Sequence, residues 1–234
     1  MLGLGFSATG AALQGPGSRP AGAGLIGWYS AKATGTITRG AGEEATAVAN
    51  LVPGGASLSK LSGGGPAYAA SEPLAGGRPA LVWPDAANAS GLALAADALV
   101  REVFAVMAYA DGARGAFDTY NTLITDLAGL DSSSVNRVMG QEGNAGVFTS
   151  SLPPGMTIHL NGGGATTTLL PMPLSVVHIR SATPFALAAI GGRNNGSSRA
   201  WRGPVCEVLA YSDTLDAGAA GSNVSYLKDG WGIG

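Results

Sequence analysis

The chain has 234 residues, of which 46% are hydrophobic and only 12% are charged, a composition that excludes an intrinsically disordered protein. Its net charge of −2 and its scattered basic residues argue against a surface for nucleic acids or for anionic membranes. Its length is sufficient for one domain with a sizeable core.

Residues 1–24 are mainly Gly, Ala, Pro and Ser. They lack the basic segment that begins a signal peptide, so we expect a protein that is made in the cytoplasm without one. Two interpretations of this segment stay open: a frayed terminus, or an extended arm that attaches to a partner subunit and becomes ordered there. The bulky side chains available for attachment are Leu2, Leu4, Phe6 and Leu13.

The apolar runs after residue 24 are short and are separated by turn residues, which is typical of an all-β domain. We expect about ten to twelve strands at the usual spacing of such domains. The continuous apolarity of residues 102–110 indicates a strand that is covered on both faces. The predicted strands are residues 25–30, 77–83, 102–110, 123–130, 135–140, 146–150, 156–162, 174–181, 185–192 and 206–211.

Two local signals add detail to this prediction. Asn161-Gly162 is a strong signal for a tight hairpin turn. After the last predicted strand, apolar residues at 215, 224, 226 and 227 indicate a short helix, which we expect to end at Gly230. Cys206 lies inside the last strand, where we expect it to be a small core residue. As the single cysteine, it excludes an intrachain disulfide.

Residues 201–234 carry an ordered motif. A strand of the form G-x-V-x-E-V-x-x-Y-x-x-x-L is followed by Y-L-x-x-x-W-G. This motif resembles the C-terminal signature of concanavalin A-like, or laminin-G-like, β-sandwich modules. The opening Trp28-Tyr29-Ser30 and the segments 77–83, 156–162 and 185–192 are similar to strands of the same family. Residues 31–53 depart from the acidic loops of that family, so no role is carried over from those loops.

The resemblance implies a jelly-roll β-sandwich of two antiparallel sheets, with a short C-terminal helix. We expect this sandwich over residues 25–234, with residues 1–24 as the extended arm. Glu207 matches a family position with a structural role, and we expect it to hydrogen-bond the backbone or a nearby polar group.

The sequence does not favour catalysis. A retaining glycosidase needs two carboxylates about 5 Å apart in one cleft, and the E-x-D-x-E strand of the hydrolase branch is absent here. His159 and His178 have no nucleophile or carboxylate at a recognisable motif spacing, so we expect both to be structural. The sequence therefore predicts no catalytic residues and no cofactor.

Many sandwiches of this kind bind a structural calcium ion, so calcium is the metal to consider here. It needs several converging oxygen ligands, but the loop oxygens here form no D-x-[DN]-x-[DN] cluster, so we expect no metal site. The oxygens in question belong to Asp111, Asp118, Asp126, Asp131, Asn194 and Asn195.

Carbohydrate binding would need aromatic faces and planar polar groups at loop tips. Two segments offer them, residues 111–121 and 192–202, and the amides and arginines of the second suit hydroxyl and carboxylate recognition. The candidates are Arg114, Asp118 and Tyr120 in the first segment, and Arg193, Asn194, Asn195, Arg199 and Trp201 in the second. For Trp201 a second interpretation stays open, because it occupies a family position at which the aromatic side chain is buried.

The functional expectation follows from the resemblance, since phage and gene-transfer-agent members of this family form spikes and fibres. We expect a non-enzymatic adhesion protein on the surface of such a particle, binding host polysaccharide through its loops and other particle proteins through its arm. We also expect an oligomer, and neither nucleic-acid binding nor membrane insertion. The alternatives are a purely structural particle subunit and, less favoured, a glycan-degrading enzyme.

Overall fold

A computed structural model describes residues 19–61, 63–83, 91–109, 121–125, 138–141, 144–147, 155–166, 172–192 and 200–234. These residues form antiparallel strands, three short 3-10 helices and one α-helix, so the predicted all-β class is confirmed. The strands are β1 (Leu25–Ser30), β2 (Ile37–Arg39), β3 (Ala45–Val48), β4 (Leu58–Lys60), β5 (Ala67–Glu72), β6 (Arg78–Trp83), β7 (Leu92–Met107), β8 (Asn121–Thr125), β9 (Val138–Gln141), β10 (Asn144–Val147), β11 (Thr157–Leu160), β12 (Ser175–Ile190) and β13 (Gly203–Tyr211). The 3-10 helices are Thr34–Thr36, Ala41–Glu43 and Pro73–Ala75, and the α-helix, α1, is Ala217–Trp231.

Two long strands connect the layers of a jelly-roll-like sandwich. β7 pairs with β13 over residues 102–107, but with β4 at residues 92 and 93. β12 likewise pairs with β11 over residues 177–180, but with β8 at residues 189 and 190. The two strands pair with each other on both sides of two register shifts. Such irregularities allow one strand to turn a corner and join both layers.

The inner core lies between these layers. Along β7, Val103, Ala105 and Met107 point inward, whereas Phe104 and Val106 belong to a second, outer cluster. Period-two alternation therefore buries both faces of the strand. This confirms, for residues 102–107, the prediction of a strand covered on both faces, and it explains why that run contains almost no polar residues.

Helix α1 covers the outer face. Ala220, Val224, Leu227 and Trp231 recur at helical spacing and are buried against the sheet. The Asp216 carboxylate caps the first turn by accepting from the Ala219 N–H at 2.7 Å. The expected end at Gly230 is wrong, because the helix continues to Trp231 and Gly232 closes it with a φ of 63°.

Two further strand boundaries differ from the prediction. The run at 102–110 is only the second half of β7, and the runs at 174–181 and 185–192 are the two halves of β12. Short exposed segments interrupt the apolar pattern of both strands at the register shifts, which is why the sequence suggested separate or shorter strands.

The turn prediction at Asn161-Gly162 is confirmed. Both residues have positive φ, 52° and 79°, and the Gly163 N–H donates to the Leu160 carbonyl at 2.8 Å. These are the features of the two-residue turn that Asn-Gly favours.

Candidate functional site

Most of the predicted carbohydrate-binding residues lie outside the described residues. This applies to Arg114, Asp118, Tyr120, Arg193, Asn194, Asn195 and Arg199, and to the attachment residues Leu2, Leu4, Phe6 and Leu13. Trp201 is described and is 0% exposed. Its position in the core agrees with the second of the two interpretations of this residue given above.

Trp201 joins the bases of both predicted binding segments. Its Nε1 donates to the Ala108 carbonyl at 3.0 Å, and its ring meets the Tyr109 ring edge-on with centroids 5.4 Å apart. Its backbone N–H donates to the Gly191 carbonyl at 2.7 Å. The first predicted segment therefore begins beside the point where residues 193–199 of the second segment begin and end. We call the cluster of Ala108, Tyr109, Gly191 and Trp201 the Trp201 junction.

A third segment, residues 84–90, also begins and ends here. Trp83 packs so closely on Gly191 that a Cβ at that glycine would lie 2.2 Å from the indole. A Cβ on Gly91 would lie 2.8 Å from the Gly192 carbonyl oxygen. The described residues that flank 84–90 and 193–199, and those that precede 110, thus meet at one end of the sandwich. Binding residues are commonly positioned by a rigid scaffold in this way.

Glu207 is the first of two buried carboxylates. It is 4% exposed, and each of its oxygens accepts two hydrogen bonds. The donors are Trp28 Nε1 at 2.7 Å and Tyr226 OH at 2.9 Å for Oε1, and Trp231 Nε1 at 2.7 Å and Ser30 Oγ at 3.3 Å for Oε2. A structural role was expected for Glu207, and its partners are side chains of two elements, β1 and α1.

Lys32 completes the surroundings of this carboxylate. Its ammonium lies 4.2 Å from the centroid of the Trp231 ring and donates to the Gly230 carbonyl. Burial lowers the pKa of Lys32, while the charge of Glu207 partly offsets that effect. Burial, followed by the neighbouring Glu207, raises the pKa of the Tyr226 hydroxyl. The hydroxyl therefore remains a donor to the carboxylate throughout the neutral range.

Glu102 is the second buried carboxylate, and it is 0% exposed. Its Oε2 lies 2.8 Å from His178 Nε2, and its Oε1 accepts from the Leu215 N–H at 2.7 Å. Arg180 Nε lies 3.4 Å from Oε1. The His178 ring stacks on Phe104 with centroids 4.0 Å apart. The hydrogen bond from Leu215 to Glu102 fastens the segment before α1 to the sheet.

Sequence reasoning missed Glu102. The available signal was an acidic residue at the start of an apolar run that was expected to be covered on both faces. A carboxylate in that position needs several partners, because burying it unpaired is costly. One of those partners, His178, was named from the sequence only as a structural residue.

Cys206 is buried in the outer cluster, as predicted. Burial raises the pKa of its thiol to about 12, with Glu207 next in effect. The thiolate, which is the reactive form, is therefore disfavoured at neutral pH.

Two further features are absent from the described part of the chain. There, no three His, Cys, Asp or Glu side chains are grouped so that they could hold a metal ion. No helix among those residues is both long and apolar enough to cross a membrane.

No protein-family model, no curated protein and no solved structure matches this chain.

Proposed function

We propose that this chain is a non-enzymatic adhesion module of the concanavalin A-like type. On this proposal it is carried on a phage-like particle, as a spike or fibre protein, and it binds polysaccharide of the host cell surface. The Trp201 junction is the observation that carries the binding part of the proposal. It brings together the flanks of the two segments whose polar and aromatic residues suit a sugar.

The family part of the proposal is supported by the Glu207 cluster. Trp28 comes from the opening motif, Glu207 from the closing strand, and Tyr226 and Trp231 from the end of the chain. Motif positions separated by up to 203 residues in sequence thus meet in one hydrogen-bonded unit. Such a unit explains physically why these residue types would occur together.

A non-enzymatic role is supported by the two buried carboxylates. Every oxygen of Glu102 and Glu207 already interacts with hydrogen-bond donors from the protein. Neither carboxylate is presented to a ligand in the way that the nucleophile and the general acid of a glycosidase are. We therefore expect no release of reducing ends when the chain is incubated with the polysaccharide that it binds.

The test is a binding assay of the full chain against capsular and lipopolysaccharide fractions of candidate host cells. Two triple variants carry alanine at Asn194, Asn195 and Arg199, or at Arg114, Asp118 and Tyr120. Because both segments start at the Trp201 junction, each variant should weaken binding of the same fraction by at least about tenfold, the loss of one or two hydrogen bonds to charged groups.

The matched control carries alanine at Thr38, Arg39 and Thr46 of the β2–β3 hairpin, of which the first two are exposed and the third is half-buried, and it should bind like the unaltered chain. A fraction bound equally well by all four proteins would contradict a site on the two segments. The absence of binding to every fraction would favour the structural particle subunit instead.

A further inference from the structure

A cleft of about 380 Å³ opens between β1 and the corner of β7, and it shares no lining residue with the Trp201 junction. Its floor consists of buried side chains, and its rim consists of half-buried or exposed residues. The floor is formed by Tyr29, Leu94, Leu187 and Ala210, together with Gly27. The rim is formed by Leu25, Ile26, Ala98 and residues 52–56.

The cleft originates in the corner of β7. Ala98 pairs with Leu187 and Ala93 pairs with Ala189, so residues 94–97 lie opposite a single residue of β12. We call residues 94–97, where β7 leaves its regular pairing, an excursion. Leu94 is its first residue and Ala98 directly follows it, and both line the cleft. The room between the layers is therefore produced by the architecture and is not a local gap in side-chain packing.

The opposite wall is a tight turn at residues 52–55. The Gly55 N–H donates to the Val52 carbonyl at 2.9 Å, and Gly54 has a φ of 74°. With Pro53 as the first central residue, these are the features of a type II turn. The turn thus has a fixed backbone.

Asn50 fastens that turn to β1. Its Oδ1 accepts from the Trp28 and Val52 N–H groups, both at 3.0 Å. Its Nδ2 donates to the Ile26 carbonyl at 2.9 Å and to the Ala56 carbonyl at 3.2 Å. The cleft is therefore formed in advance of any ligand, which lowers the cost of binding.

The lining determines which ligands would fit. It contains no charged side chain, and its one hydroxyl, on Tyr29, donates to the Ala56 carbonyl at 2.8 Å. Burial raises the pKa of Tyr29 to about 12, so this hydroxyl is neutral at physiological pH. A sugar or an anion would lose its hydration here without gaining enough hydrogen bonds. An aliphatic body with a single neutral polar end would lose little.

We propose that this cleft binds a neutral, mainly aliphatic small molecule. Its volume lies at the lower end of the range for ligand sites, about 300–1,000 Å³. An engineered apolar cavity of roughly 150 Å³ binds benzene. The cleft has more than twice that volume, so it has room for a ligand of on the order of ten carbon atoms or somewhat more. This site is independent of the polysaccharide proposal.

The test uses the full chain and straight-chain 1-alkanols from hexanol to dodecanol as probes, with isothermal titration calorimetry. The dissociation constant should fall about fourfold for each added methylene, which follows from the burial of one CH₂ group. The decrease should stop once the chain fills the cleft. Decanoate at pH 8 should bind at least tenfold more weakly than decanol, because the cleft offers its charge no partner.

Ala98→Leu places three additional carbon atoms into the cleft and should weaken decanol binding by at least tenfold. Ala98→Val, a smaller change that suits a strand, should weaken it less and covers the case in which the leucine variant does not fold. Ala96→Leu is the matched control, because Ala96 is exposed on the same strand and does not line the cleft, and it should bind as the unaltered chain does.

One binding site per chain, the dependence on chain length and the selective loss at Ala98 together support the proposal. It would be overturned by the absence of saturable binding, by several equivalent sites per chain, or by equal binding to folded Ala98→Val and Ala96→Leu. A decanoate affinity equal to that of decanol would refute the neutral character of the ligand.

Discussion

A bulge in the backbone of β13 determines where the Glu207 carboxylate points. Val205 pairs with Met107 and Glu207 pairs with Val106, so Cys206 is an extra residue in β13. Regular alternation from Val205 would turn Glu207 into the inner core. The bulge instead directs it toward α1, where indole and hydroxyl donors surround it. The free energy of desolvating the carboxylate is offset by four hydrogen bonds.

The variant Glu207→Gln tests this account. Glutamine keeps the size of the side chain, but its NH₂ group cannot accept from the two donors that face one carboxylate oxygen. We expect the free energy of unfolding to fall by about 2 kcal/mol, because the indole N–H on that side loses its acceptor, whereas the hydroxyl can turn to accept from the amide. Urea denaturation followed by Trp fluorescence measures the change. Glu43→Gln is the control and should alter stability by less than about 0.5 kcal/mol, since the side chain of Glu43 is 61% exposed.

At the scale of elements, α1 holds the beginning of the described chain as well as its end. Asn223, which is 0% exposed, accepts from the Ala21 N–H at 2.7 Å and donates to the Ala21 carbonyl at 3.0 Å. Tyr211 OH donates to the same carbonyl at 2.9 Å, and the Ser212 N–H donates to Gly24. Residues 21–24 therefore contact the sandwich. The proposed boundary between arm and sandwich at residue 24 stays a prediction. It concerns only the residues that precede these contacts.

Two deletions test where the arm begins. If residues 1–18 belong to the proposed attachment arm, their removal should leave the free energy of unfolding unchanged. Removal of residues 1–24 should lower it by about 2 kcal/mol, because Asn223 loses both of its partners on Ala21. Chemical denaturation measures both. Asn223→Ala should cost stability in the full chain but little in the chain that lacks residues 1–24, since the interaction is already lost there. Equal stability of the full chain and the 1–24 deletion would contradict this account.

The helix also shows what local sequence patterns leave out. Residues 217–231 contain three glycines, which makes the intrinsic helix propensity low, and the sequence pattern predicted only a short helix. The helix is stabilised by packing of its apolar stripe on β7 and β12, and those contacts are not visible in the local sequence. The Asn161-Gly162 turn was predictable, by contrast, because its conformation depends on the two residues alone.

At the scale of the whole molecule, the class of the fold was predictable and the corners were not. The spacing of apolar runs and turn residues is a local property, and it correctly predicts an all-β chain. The excursions at residues 94–97 and 181–184 depend on which strands pair in each layer, so they required the structure. The candidate functional site likewise could not be predicted from the local sequence. The Trp201 junction joins positions that lie 93 residues apart in sequence.

The sandwich and α1 should unfold as one cooperative unit. The strands form a single hydrogen-bonded network, and the helix supplies two of the four donors to Glu207 together with the buried Leu227 and Trp231. Differential scanning calorimetry of the full chain should therefore give one transition, with calorimetric and van 't Hoff enthalpies in a ratio of about 1. Truncation after Asp216 should lower the midpoint of the whole transition, whereas truncation after Ile233, which keeps the helix and its C-terminal hydrogen bonds, should leave it nearly unchanged. A separate early transition that disappears when α1 is removed, with the main midpoint unaltered, would show that the helix is an independent appendage to the sandwich.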